Sequence, residues 1–386
     1  MEFSIDRDFI KDILVHFVQT DSRNPAMVED GPGEVIIGED IARILKELGL
    51  QVKIYPLAPG RVNVVGVLPG KGGGRSLILN GHMDTVGVDE MPEPFSGEIR
   101  EGRLYGRGSQ DMKGSLAAML GAIKALVDDG ISLEGDLIFT AVADEENQSL
   151  GTIELIQEIR ADGAIVTEPT DLKVVAAHRG WIWYEVEVEG RAAHGSRYQD
   201  GRDAILMMGR FLVELESYSQ ELIKRPGHPL TGPPSVHTSL IEGGSDMCTY
   251  PPRCKVSIER RTVEGETEIG IREEIQVMLD RLREQDQDFK ACLRLVAQRA
   301  PLNTSPDSGV IEALIKAYSK VMDSPPEISG AAYWTDAALL SEKGVEAVLI
   351  GPVGAGLHSA EEWVDLNSVY DLAEILAATA VLYCGL

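Results

Sequence analysis

Two styles of hydrophobic patterning divide the chain. In the first, short apolar runs are bounded by polar turns: Leu77-Ile78-Leu79, then 136–142, 163–167 and 347–350. Runs without polar alternation predict strands covered on both faces, as in a parallel sheet. Between them the apolar residues recur at helical spacing. Phe9, Ile10, Ile13, Leu14, Phe17 and Val18 make one stripe; Met112, Leu116, Met119, Leu120, Ile123 and Val127 make another. A helix over 35–48 stops at Gly49, and strands are predicted at 51–55 and 61–68. The glycine-rich stretch 70–74 lacks the Gly-Lys-Ser/Thr ending of a phosphate loop and reads as a hairpin turn.

At Gly180 the style changes. Ile182, Tyr184, Val186 and Val188 alternate with polar or exposed-type residues, the signature of an antiparallel sheet with one covered face. A helix over 204–222, strands near 236–241 and 255–259, a helix over 268–282 and a strand at 289–296 follow. That β-α-β-β-α-β order predicts a ferredoxin-like module. From Pro301 the first style returns, with helices at 308–321 and 336–343 and a last apolar helix. The expected architecture is an α/β domain with a mostly parallel central sheet, built from 1–179 and 299–386 and interrupted by an α/β insert at 180–298.

Length and charge narrow the function. The chain has 386 residues, enough for two or three domains, with 36 Lys+Arg against 62 Asp+Glu and a net charge of −26. Such a surface repels phosphate backbones, so nucleic acid is not an expected partner. No apolar run is long enough to span a bilayer, and the charged start at Met1-Glu2-Phe3-Ser4-Ile5-Asp6 does not resemble a signal peptide. Cys248, Cys254, Cys292 and Cys384 form no Cys-x-x-Cys pair, which argues against a disulfide framework and suits a reducing cytoplasm.

The chemistry collects at strand ends, where open α/β sheets bind ligands. His82 and Asp84 follow the run at 77–79, Glu145 and Glu146 follow 136–142, Glu168 follows 163–167, and His358 lies in a loop after 347–350. Asp111 heads the helix that begins near Met112, where a carboxylate by itself reads as an N-cap. Asp84 stands near enough in sequence to His82 to orient its ring. Taken singly, a capped loop or a solvated acidic turn accounts for each of these. Together, two histidines and several carboxylates without a thiolate suit zinc, with cobalt or manganese as alternatives. A two-metal hydrolase site needs a bridging carboxylate plus a histidine and a carboxylate for each ion. Asp111 fits as the bridge, His82 with Glu168 and His358 with Glu146 as the pairs, and Glu145 is left over as a general base. His16, His178, His228 and His237 read as structural.

These motifs resemble a known family. Gly81-His82-Met83-Asp84, Gly106-Arg107-Gly108 through Asp111-Met112-Lys113-Gly114, Asp144-Glu145-Glu146, Glu168-Pro169-Thr170 and a late His358 are similar to those of the zinc-dependent aminoacylases and carboxypeptidases. That family includes acetylornithine deacetylase, succinyl-diaminopimelate desuccinylase and the glutamate carboxypeptidases. The resemblance covers nearly the whole chain. It implies two zinc ions on the five ligands above, Glu145 as base and proton shuttle, and Asp84 in support of His82. It also implies that the insert is a lid through which two copies dimerise, and that the substrate is a small molecule bearing a carboxylate. His194, in Gly190-Arg191-Ala192-Ala193-His194-Gly195-Ser196, matches a lid histidine that reaches the other subunit's site. Arg261 matches an arginine that holds substrate carboxylate, with a structural salt bridge as its alternative. Cys248 departs from the family, standing where many members have asparagine. The expected activity is hydrolysis of the amide of an N-acyl amino acid. The alternatives are a carboxypeptidase or dipeptidase on the same machinery, or a metal-binding regulatory protein without turnover.

Overall fold

A computed structural model of the chain describes residues 3–386, so Met1 and Glu2 of the charged start lie outside the described residues. The chain divides into two compact units. One comprises residues 1–176, 304–329 and 335–386; the other comprises 177–303 and 330–334. The insert therefore begins at 177 and ends at 303, where 180 and 298 were expected, and it gains a short segment at 330–334 that carries no sequence signal.

The first unit is built on a sheet whose strands run in the order Gln51–Ala58, Arg61–Leu68, Leu137–Val142, Leu77–His82, Gly163–Val166, Glu346–Leu349, Val174–His178. The four central strands pair in parallel. They are mostly apolar and, apart from Glu346 at the start of the last, buried; Asn80, Thr140 and the terminal His82 are the polar exceptions. Their register is level: His82 lies beside Val142, and Asn80 beside Val166. Their carboxyl ends therefore open at one height.

The glycine-rich stretch is not a hairpin turn. Arg61–Leu68 and Leu77–His82 are separated by Leu137–Val142, which pairs antiparallel with the first and parallel with the second. The hairpin lies one step earlier, between Gln51–Ala58 and Arg61–Leu68.

Helices cover the sheet. Arg7–Gln19 is capped by Asp6, whose carboxylate accepts the Phe9 N–H at 3.0 Å, and it buries Ile10, Leu14, Phe17 and Val18. Gly114–Asp128 packs on the terminal helix Leu366–Cys384, and both are apolar on nearly every face because other elements surround them. A helix at Leu150–Glu158 and a strand at Val174–His178 were not expected. Nor was a small sheet of Ile99–Arg100, Arg103–Tyr105, Trp363–Asp365 and Gly354–Ala355. Strands of two or three residues are too short to show a period.

The second unit has the expected order. Its sheet runs Ser235–Gly243, Arg253–Thr262, Gly180–Glu189, Lys290–Arg299, every neighbour antiparallel. Tyr184, Val186, Val256 and Ile258 pack against Met208, Phe211, Ile275 and Leu279 of its two helices. That is the ferredoxin-like arrangement. No helix among the described residues is long and apolar enough to cross a membrane.

Candidate active site

The level strand ends bring six side chains together, all in the first unit. His82 is the last residue of its strand, with Nε2 at 3.0 Å from Asp111 Oδ1 and 3.8 Å from Glu168 Oε1. His358 Nε2 lies 3.1 Å from Glu146 Oε2 and 3.4 Å from Asp111 Oδ2. Asp111 thus turns one oxygen to each histidine. Ligand atoms of His82, Asp111 and Glu146 all lie within 4.8 Å of one another, and so do those of His82, Glu145 and Glu168. Glu145 is therefore as close to the centre as the proposed ligands are.

Two local expectations need correction. Asp111 does not head a helix: it sits in an irregular turn, Ser109–Lys113, with non-helical φ −116° and ψ 89°, and the regular helix begins at Gly114. The turn frees its carboxylate from capping and aims it between the histidines. Nor is the Asp84 carboxylate the close partner of the His82 ring. His82 Nδ1 donates to the Asp84 main-chain carbonyl at 2.9 Å, while the nearer carboxylate oxygen is 3.6 Å away. A carbonyl oxygen only accepts, so Nδ1 carries a proton, and Nε2 is the ring nitrogen turned toward the cluster.

The Asp84 carboxylate has other work. It accepts the N–H groups of Glu145 at 3.2 Å and Glu146 at 3.3 Å, and the Asn24 amide at 2.8 Å. Asn24 also donates to Asp144, which accepts from Arg61 as well; Arg61 grips Glu34 with two nitrogens. All five side chains are buried. Removing one partner of a buried ion pair of this kind costs about 3–5 kcal/mol. The network fixes the turn that presents Glu145 and Glu146. Asn24, Glu34 and Arg61 carry no local motif, and sequence reasoning missed them.

Crowded acids raise one another's affinity for protons. Burial, then the charge of Glu168, pushes Glu145 well above the ordinary carboxylate range. Burial, then Asp111, raises Glu146 to about 7, and burial raises Glu168 to about 8. Burial alone would raise Asp111 too, but hydrogen bonds from His358 and His82 override it and hold it below the usual range. Hydrogen bonds to Asp111 and Glu146 lift the His358 ring to about 10. For His82 burial favours the neutral ring, yet Glu168 and then Asp111 outweigh it and raise the ring well above its usual value. Four carboxylates with only two imidazoles to balance them are a donor set short of positive charge. Nitrogen and oxygen donors at this spacing fit divalent cations.

The remaining candidates lie elsewhere. His194 and Arg261 belong to the second unit and are not members of this cluster. His194 is exposed, its Nδ1 bonded to Ser196 Oγ at 2.8 Å. Arg261 pairs with Glu259 of its own strand at 3.0 Å. His16 pairs with Asp40 at 2.8 Å, in line with a structural reading.

The model of peptidase family M20/M25/M40 matches residues 78–381. Acetylornithine deacetylase of Myxococcus xanthus is 31% identical over 332 residues, covering 84% of this chain and 85% of that one. N-formyl-4-amino-5-aminomethyl-2-methylpyrimidine deformylase of Bacillus subtilis (strain 168) is 29% identical over 378 residues, covering 89% and 88%. Among solved structures, aminopeptidase PepT from Bacillus cereus ATCC 10987 shares the fold, with a TM-score of 0.82 at 18% identity over 98% of this chain and 99% of that one. The matched region contains every member of the cluster from His82 to His358, and the chain belongs to peptidase family M20/M25/M40, a metal-dependent hydrolase of amide bonds.

Proposed function

We propose that the chain is a dinuclear zinc amidohydrolase that removes the acyl group from an N-acyl amino acid, as an acetylornithine deacetylase does. The observation that carries this reading is the placement of Asp111, whose two oxygens face the two histidines at 3.0 and 3.4 Å. Asp111 would be shared between two ions, with His82 and Glu168 on one and His358 and Glu146 on the other. Two zinc ions in such a site supply Lewis acidity toward the amide carbonyl and bring the pKa of water down to about 7.

This chain's own groups do the rest. Glu145 takes the proton of the attacking water and returns it to the departing amine nitrogen, so the leaving group departs neutral. The Asp84 carboxylate holds Glu145 and Glu146 through their main-chain N–H groups. His194 of the partner subunit would donate to the carbonyl oxygen as charge builds there. Arg261 would receive the substrate carboxylate in a planar two-point pairing, with Glu259 as its competitor. The assembly proposed is a homodimer through the insert. Support comes from exposed Leu206 and Val213 on its first helix and from Leu240 and Ile241 on its outer strand, an apolar edge of the kind that pairs with another chain. Four unbridged cysteines support a cytoplasmic setting.

Acyl removal is favoured over peptide cleavage because the two relatives described above are by name a deacetylase and a deformylase. The test is turnover of a panel of N-acetyl and N-formyl amino acids against dipeptides, with metal content measured on the same sample. Turnover confined to dipeptides would replace the deacylase by a dipeptidase or carboxypeptidase. Full turnover by metal-free protein would overturn the metal reading.

A further inference from the structure

We infer that Arg107 and Glu362 are positioning residues that set where Asp111 and His358 stand, and through them the affinity of the metal site. The inference rests on the ligand roles proposed above for Asp111 and His358. Both of those residues sit on irregular backbone, outside any regular helix or strand. Such backbone has no ladder of its own to hold it, so the geometry of its side chains must be imposed from outside.

Glu362 imposes it. Its side chain is fully buried and its carboxylate accepts from four donors. Oε2 takes Arg107 Nη1 at 2.6 Å and the Gly108 N–H at 3.0 Å; Oε1 takes the N–H groups of Gln110 at 2.9 Å and Asp111 at 3.0 Å. One carboxylate from the His358 loop therefore grips the main chain of the Asp111 turn, at Asp111 itself. Arg107 completes the clasp from the other side. Its Nη2 donates to the Ser359 carbonyl, next to His358, and its Nε to the Gly87 carbonyl in the loop that leaves Asp84, both at 2.9 Å. Short antiparallel strands bring the two loops side by side, with Tyr105 opposite Trp363.

The pair thus ties together the loop that leaves Asp84 and the loops that carry Asp111 and His358, and among the described residues none of its hydrogen bonds goes to a ligand side chain. Its geometry suits only this pairing. A glutamine at 362 would turn an NH₂ group toward two donors, and a lysine at 107 would lose the fork that reaches three acceptors. Partners of this kind, one step behind the ligands, typically change metal affinity about 10–100-fold when altered.

The experiment is a zinc titration of the full-length protein against a chromophoric chelator, with Glu362→Gln and Arg107→Lys beside the wild type. Circular dichroism establishes that each is folded, and melting is followed with and without zinc. The expected result is two zinc ions bound at saturation in every folded variant, with affinity lowered about 10–100-fold. The zinc-dependent rise in melting temperature should shrink with it. A pair that served the fold alone would lower the melting temperature of metal-free protein and leave affinity unchanged. Affinities within twofold of wild type in either folded variant overturn the inference, and so does failure of both variants to fold. Failure of the wild type itself to bind zinc would instead overturn the metal reading beneath it.

Discussion

His82 and Asp84 are joined through the wrong group for a carboxylate–histidine pair: the ring Nδ1 donates to the Asp84 main-chain carbonyl at 2.9 Å. The carboxylate is committed to the Glu145 and Glu146 N–H groups and to Asn24. Substituting the side chain therefore leaves the partner of His82 in place. Asp84→Asn should keep the His82 tautomer and most of the bound metal, while loosening the 144–146 turn and lowering kcat about 10–100-fold. Metal analysis and steady-state kinetics on one preparation check this. Metal loss as complete as that of His82→Ala would show that the carboxylate supports the ligand after all.

Glu145 and Glu146 are neighbours whose proposed roles differ. Glu145→Gln should keep near-normal metal content and lose about 10²–10⁴ in rate, the usual cost of a missing general base. Glu146→Gln should lower metal occupancy first, because His358 and the ion would lose a shared partner. Because Glu145 also stands within 4.8 Å of His82 and Glu168 donors, the comparison decides something. Metal loss in Glu145→Gln with none in Glu146→Gln would exchange the two roles.

Metal uptake should release protons. The His358 ring has its pKa raised from 6.5 to about 10 by Asp111 and Glu146. Its stabilising contribution to the metal-free protein is thus fully present below about pH 6.5 and fades as pH rises through about 10. A metal ion needs the neutral ring, so at pH 7.5 binding must expel that proton, along with what Glu168 retains, its carboxyl being pushed up to about 8 by burial. Zinc affinity should rise between pH 6 and 9. Calorimetry in buffers of different ionisation enthalpy should register at least one proton released per protein. A pH-independent affinity with no proton release would contradict the assignment of His358 as a ligand.

The role given to His194 is tested by mixing two inactive chains. His194→Ala and Glu145→Gln should each be inactive alone. In a mixed dimer one site combines the intact Glu145 of one chain with the intact His194 of the other. Random exchange makes half the dimers mixed, each with one of two sites complete, so about a quarter of wild-type activity should return. The variants are unfolded and refolded together, dimers are checked by light scattering, and exchange is followed with differential tags. No recovery after verified exchange would assign His194 to its own subunit or to no site.

What the sequence determined by itself is the inventory and the level at which it collects. Short uninterrupted apolar runs bounded by turns read as inner strands, and inner parallel strands end on one side, so His82, Glu146 and Glu168 were expected to meet there. Alternation from Ile182 to Val188 likewise marked an insert of a different kind. Strand order was not legible, because burial is non-directional: nothing in 61–68 or 77–82 records that Leu137–Val142 lies between them. Only the tertiary structure decided that the Asp111 backbone leaves the helical path, that Asp84 holds the Glu145 turn, and that Glu362 grips Asp111. The last two are hydrogen bonds between groups far apart in the chain, 251 residues apart for Glu362 and Asp111, and such pairs leave no local period to read. They exist because a buried carboxylate must find its donors wherever the packed chain supplies them.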